Sequence, residues 1–184
     1  FQNLPSRDKT KKALKNAIVA PDGYTIINSD SSQIEARVLA WLAGQDDVVK
    51  QFADKQDVYS VFASTVYNRP ISKANPTERF VGKTCVLGLG YGTGGKKLQQ
   101  TLSLGGAELP EDECKRIVDL YRNTNNKITA LWKESDTALD RLMTYGKDSK
   151  PFYLGKHEAL MVDGEGIKLP NGLYIRYANL RKSD

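Results

Sequence analysis

Apolar residues along the chain change their period several times, and each change marks an element. A turn signal at Pro21-Asp22-Gly23 precedes an apolar run, Tyr24 to Ile27, that predicts a buried strand with Asp30 just past its carboxyl end. From Ser32 onward Ile34, Val38, Leu39 and Leu42 recur at helical spacing and Gly44 supplies a C-terminal stop, so the unit reads strand, acidic turn, helix. Shorter helices are predicted at Asp46 to Ala53 and Asp57 to Tyr67. Pro76-Thr77 suits the start of a helix carrying Arg79 and Lys83, because proline tolerates a first turn. Two long amphipathic segments follow, with Ile117, Leu120 and Tyr121 on one face and Ile128, Leu131 and Trp132 on another; their aromatics read as core rather than as stacking platforms. The tail EALMVDGEGIKLPNGLYIRYANL alternates apolar and polar residues around Asp163-Gly164 and Asn171-Gly172, which signal hairpins. Helices between sheet-forming ends predict a helix-rich α+β fold rather than a regular parallel α/β one.

Composition narrows the class without naming a chemistry. With 184 residues, 40% hydrophobic and 27% charged, the chain can bury a core and is not of the disordered type. No apolar run approaches the ~18 residues of a membrane span and no leader opens the chain, so a soluble, unsecreted, cytoplasmic protein is expected. It starts at Phe1, and FQNLPSRDKTKKALKNA reads like the middle of something, which points to an excised fragment. Cys85 and Cys114 lack metal-ligand spacing and are expected to be reduced, structural core residues. The net charge of +5 permits polyanion binding without demonstrating it.

The stretch GLGYGTGGKK, Gly88 to Lys97, advertises a phosphate cradle. From Gly90 it fits G-x-x-x-x-G-K, but Lys97 stands where a phosphate-binding loop needs a Ser or Thr hydroxyl for magnesium. It also fits G-x-G-x-x-G, a pattern that has meaning only between a strand and a helix; TERFVGKTCVL, which precedes it, reads as a helix. Two other stretches carry more. In SDSSQIEARVLA, Asp30 could hold a divalent cation while Glu35 shapes a neighbouring pocket; alternatively both are ordinary charges near a helix start. In RFVGKTCVLGLGY, at about 100° per residue, Arg79, Lys83 and Leu87 form a stripe ending near Tyr91. A guanidinium fork and a mobile ammonium suit a triphosphate's tail, with the bland alternative a solvated basic face. Gly82 inside that helix hints at close packing, since an exposed helical glycine costs about 1 kcal/mol relative to alanine.

Together these stretches resemble the family-A DNA polymerases, the DNA polymerase I and bacteriophage group. DSSQIEARVLA resembles their first palm motif, D-Y-S-Q-I-E-L-R-V-L-A, and RFVGKTCVLGLGYG their fingers helix, R-x-x-x-K-x-x-x-[FY]-G-x-x-Y-G. QNLPSR resembles the Q-N-I-P-x-R that leads into the palm, and KQDVYSVFA the intervening G-x-D-I-H-x-x-x-A; the likeness runs from Phe1 to about Leu102. What this implies is a partial polymerase right hand: residues 1–45 a palm segment, 46–146 helical fingers, 147–184 a β-hairpin region returning to the palm. The implied partners are primer-template DNA, a deoxynucleoside triphosphate and the remainder of the polymerase, with Mg2+ as cofactor. Asp30 would bind metal, with the Ser31 carbonyl. Ser31, Ser32, Gln33, Glu35, Tyr59, Arg79, Lys83, Leu87 and Tyr91 would line the nucleotide site. Glu35 would be the steric gate against a 2′-hydroxyl, Arg79 and Lys83 would hold the β- and γ-phosphates, and Tyr91 would stack at the templating position. Gly92 and Thr93 would touch the template, and Asn3 and Arg7 the duplex backbone. GLGYGTGG becomes the end and hinge of the fingers helix rather than a phosphate cradle.

Departures from the family pattern matter as well. Leu87 replaces an aromatic residue, implying altered discrimination against dideoxynucleotides; Tyr59 replaces a histidine that reaches the triphosphate; Ser31 replaces tyrosine. The family's second catalytic carboxylate lies in a His-Asp-Glu turn, and that tripeptide does not occur here. His157-Glu158 lacks the aspartate and is expected to belong to an earlier hairpin. The isolated chain is therefore expected to lack efficient primer extension. A non-catalytic nucleic-acid-binding module is the alternative reading, and a phosphate-loop NTPase a more distant one.

Overall fold

The computed structural model describes residue 14 and residues 17–181, apart from the side chain of Lys147. The chain divides into two compact units, Phe1–Ser32 and Gln33–Asp184. In the first, the Tyr24 N–H donates to the Pro21 carbonyl at 3.0 Å and Gly23 takes φ 79°, so the Pro-Asp-Gly turn forms as expected. The strand expected at Tyr24 to Ile27 does not: residues 24–30 carry no strand, and Tyr24, Ile26 and Ile27 are exposed. An apolar run becomes a buried strand only when a second strand and a covering layer are there to receive it, and the described residues of this unit supply neither. Asp30 accordingly follows residues without regular secondary structure, not a strand end.

The second unit is α+β and rich in helix. Among its described residues seven α-helices run in order: α1 Ile34–Ala43, α2 Asp46–Ala53, α3 Val58–Tyr67, α4 Pro76–Leu89, α5 Gly95–Leu104, α6 Glu111–Thr124 and α7 Asn126–Tyr145. A 3-10 turn at Gly146–Asp148 leads into an antiparallel meander of β1 Phe152–Leu154, β2 Leu160–Asp163, β3 Gly166–Lys168 and β4 Tyr174–Ile175. Asp163 pairs with Gly166 across the first predicted turn, and the Gly172 N–H reaches the Leu169 carbonyl at 2.9 Å in the second. Gly44 ends α1 in the left-handed region at φ 69°, where a side chain would be strained.

Helix α5 is the element the pattern conceals. Its first residues belong to the glycine cluster, yet Leu98 and Leu102, four apart, are fully buried. They join a core built from Phe62 and Val66 of α3, Val81, Cys85 and Leu89 of α4, and Ile117 and Tyr121 of α6. Phe62 meets Tyr121 edge-on at 5.6 Å. Both cysteines are free and buried here, and burial pushes the Cys85 thiol up to about 12, which keeps it protonated and inert. A smaller core of Ala138, Leu154, Val162 and Ile167 sits between α7 and the sheet.

The close packing hinted at by Gly82 is real. A methyl group there would lie 2.2 Å from the Tyr59 carbonyl oxygen and 2.9 Å from Ala63 Cβ, so α3 and α4 approach backbone to backbone. Helix α1 is fixed from its other end. The Lys156 N–H donates to the Leu42 carbonyl at 3.0 Å, Lys156 pairs with Asp46 at 2.7 Å, and His157 stacks on Trp41 at 4.3 Å and 8°. His157 thus lies in the connection between β1 and β2.

Candidate functional site

Helix α4 presents the expected stripe. Arg79, Lys83 and Leu87 follow one another at four-residue spacing along it, and Tyr91 lies just past its end. Their surroundings differ. Arg79 is half-buried: its Nε donates to Asp57 Oδ2 at 2.6 Å and its Nη2 to Oδ1 at 3.2 Å, while its guanidinium lies 5.5 Å from the Tyr59 ring centre. The hydrogen bond to Asp57 raises the Arg79 pKa further. For Asp57, burial pushes the carboxyl up, but hydrogen bonds from Arg79 and Ser60 together with the Arg79 charge outweigh it and leave it below the usual range. Lys83 is exposed, with no ion pair among the described residues.

Tyr59 is buried beneath this helix, and burial raises its phenol above the ordinary value, so it is neutral. Its hydroxyl bonds with the Gln33 side chain, drawing Gln33, Tyr59 and Arg79 into one neighbourhood. A second neighbourhood forms at the far end of α4. Glu35 in the first turn of α1 takes a hydrogen bond from Tyr91, which holds that phenol above its usual range. Glu35, Leu87 and Tyr91 line a pocket of about 320 Å³ whose other walls come from Leu39, Val86, Leu131 and Trp132. Gly90 lets these helices approach: a methyl group on it would lie 3.2 Å from Leu39 Cδ2.

Glycine's freedom is needed once more, at Gly92, where the turn from α4 to α5 takes φ 74°. Gly88 is helical and Gly95 opens α5, so helix, not strand, precedes the glycine cluster. Thr93 is half-buried and Gly92 exposed within that turn. Asp30, Ser31 and Ser32 are exposed and belong to the first unit. Asn3 and Arg7 lie outside the described residues.

Three residues of the site fall outside the candidates that the motifs single out. Asp57 reads as a helix-start aspartate in the sequence, yet it is the partner of Arg79. Leu131 and Trp132 read as core and pack there, Leu131 buried and Trp132 against the main cluster, and they also wall the pocket. As for a metal, no group of three or more His, Cys, Asp or Glu side chains among the described residues converges on a point that could hold one. Asp30 contributes a single carboxylate, and these donors do not make a metal centre by themselves.

The relatives of this chain are DNA polymerases. The family described as DNA polymerase family A matches residues 1–143, and the chain belongs to that family. It is 30% identical over 134 residues, 73% of its length, to the thermostable DNA polymerase I of Thermus aquaticus, of which it covers 15%. It is 32% identical over 173 residues, 90% of its length, to the DNA polymerase of Bacillus phage SP02, covering 26% of that protein. With DNA polymerase I of Chloroflexus aurantiacus it shares 32% identity over 119 residues, 65% of this chain and 12% of the other. The chain thus spans about a quarter or less of the relatives it matches. Among the described residues no helix is long and apolar enough to cross a membrane.

Proposed function

We propose that the chain is the palm-and-fingers segment of a template-directed DNA polymerase, acting on primer-template DNA and deoxynucleoside triphosphates. The observation that carries this reading is the layout of α4: a guanidinium and an ammonium one turn apart, followed by a pocket edged by Glu35, Leu87 and Tyr91. Its roles follow from charge and shape. Arg79 offers a planar fork to phosphate oxygens, and Lys83, with no ion pair among the described residues, a point charge that can also deliver a proton to the departing pyrophosphate. Gln33 and Tyr59 border the phosphate end, and Tyr59, being neutral, contributes a hydrogen bond in place of a charge.

At the other end Glu35, tied to Tyr91, narrows the pocket where a sugar would sit, and so serves as the gate against a 2′-hydroxyl. Release of Tyr91 from Glu35 would free its ring to stack at the templating position. Gly92 and Thr93 contact template, Asn3 and Arg7 the duplex backbone. Asp30, with the Ser31 carbonyl, would hold Mg2+ together with carboxylates from the rest of the polymerase, and Ser32 would border the nucleotide. In this reading residues 1–45 are palm, 46–146 fingers, and 147–184 a hairpin region returning to the palm, in a cytoplasmic enzyme. The segment by itself is not expected to copy DNA.

Leu87 provides the test. An aliphatic side chain at the sugar end has no hydroxyl and less contact area than an aromatic one. Leu87→Phe and Leu87→Tyr in the complete polymerase are therefore expected to change the ratio of dideoxy- to deoxynucleotide insertion, measured by steady-state incorporation. Equal rates and equal dideoxy selectivity in all three proteins would count against Leu87 facing the sugar.

A further inference from the structure

The guanidinium assigned above to the phosphates is already engaged. Its Nε and Nη2 meet both oxygens of Asp57, at 2.6 and 3.2 Å, a two-point fork that occupies one edge of the group. Asp57 is itself held in place: it immediately precedes α3, and its Oδ2 also accepts the Ser60 hydroxyl at 2.9 Å. The two side chains remain 29% and 22% exposed, so a dissolved anion can reach the pair. A guanidinium has five N–H donors, and its outer edge, including Nη1, has no partner among the described residues. Lys83, one turn on, carries no such counter-ion among them.

We infer that Asp57 gates Arg79: it is an internal counter-ion that aims the guanidinium and that an incoming polyphosphate must share or displace. This rests on the nucleotide reading and adds a residue that acts through Arg79 rather than on substrate. Asp57 is a positioning residue with an electrostatic consequence. Its fork fixes the plane of the guanidinium so that the free edge faces outward, and its charge opposes a second anion at the same cation. The two cations of α4 then differ in kind. Lys83 is available to any phosphate, whereas Arg79 is released only to a ligand with enough negative charge to compete with a fixed carboxylate. A triphosphate meets that condition better than a monophosphate.

The test is calorimetric titration of the chain with dATP, and with dAMP, in the absence of divalent cation. Asp57→Asn keeps the size of the side chain and removes its charge, and is expected to tighten dATP binding by about threefold to tenfold. dAMP, which carries less charge for the carboxylate to oppose, should gain no more than dATP, so that preference for the triphosphate is kept or widened. Asp57→Glu should behave like the parent chain, and Asp57→Asn should have no effect in an Arg79→Ala background. Weaker or unchanged dATP binding in Asp57→Asn overturns the inference. So does equal tightening without Arg79, which would make Asp57 a general surface charge. A parent chain that binds no triphosphate at all overturns the nucleotide reading, and this inference with it.

Discussion

Replacing Lys83 with alanine in the complete polymerase is expected to lower the rate of nucleotide insertion by about a hundredfold to a thousandfold, the range seen when a charge-stabilising donor is removed from a transition state. DNA affinity should change little. Lys83 is exposed on α4 without an ion pair among the described residues, so its charge is not compensated by a neighbouring carboxylate in the way that of Arg79 is. An ammonium held on a rigid helix stabilises charge that grows on the leaving phosphates, and it can hand over a proton when they depart. Lys83→Arg retains the charge but is a poor proton donor, because a guanidinium does not deprotonate at neutral pH. It should therefore bind triphosphate normally and still react slowly. Single-turnover incorporation across a triphosphate titration separates the two steps. Near-parental rates in Lys83→Ala would show that this cation serves only as surface charge.

Gly82→Ala is expected to destabilise the chain by about 2 kcal/mol, lowering its Tm by several degrees. In an open helix the same change would stabilise by about 1 kcal/mol, since alanine is the better helix former. Geometry reverses the sign. The added methyl would lie 2.2 Å from the Tyr59 carbonyl oxygen and 3.2 Å from the Ala63 amide nitrogen, and backbone atoms cannot rotate away as a flexible side-chain tip can. Helices α3 and α4 would have to separate, loosening Val81 and Cys85 in the core and shifting Tyr59 beneath Arg79. Thermal unfolding followed by circular dichroism gives the answer. A Tm equal to or above that of the parent chain would mean that the interface has slack it does not show.

The two predictions draw on parts of the chain that differ in how far sequence reveals them. The course of α4 is legible because Pro76 fixes its start, Arg79, Lys83 and Leu87 recur at its period, and Gly82 needs a reason to be there. The hairpins are legible because Asp-Gly and Asn-Gly bear the backbone conformations their turns require. Helix α5 is concealed, since its first turn shares the glycines of the preceding connection and only Leu98 and Leu102 betray it. The Tyr24 to Ile27 run misleads in the opposite direction. Local hydrophobicity records a preference for burial but not whether a partner strand is at hand to satisfy it.

At the site, the cations and Glu35 are legible from type and spacing, while their partners are not. Asp57 and Arg79 are 22 residues apart, and the pairing arises only because α3 and α4 are packed tightly enough at Gly82 to bring the two together. The same holds for the clasp on α1. Nothing in GKHEAL announces that Lys156 reaches the Leu42 carbonyl or that His157 lies flat on Trp41, because long-range contacts leave no periodic trace.

The central claim, that the cationic face of α4 grips a triphosphate, is tested most directly by titrating the chain with deoxynucleoside tri-, di- and monophosphates and with duplex DNA. The account predicts saturable binding that weakens as each phosphate is removed and that is lost when Arg79 and Lys83 are both replaced by alanine. A chain that binds duplex DNA but shows no preference for the triphosphate, and no loss in that double variant, would contradict it and would instead describe a nucleic-acid-binding module without a nucleotide site.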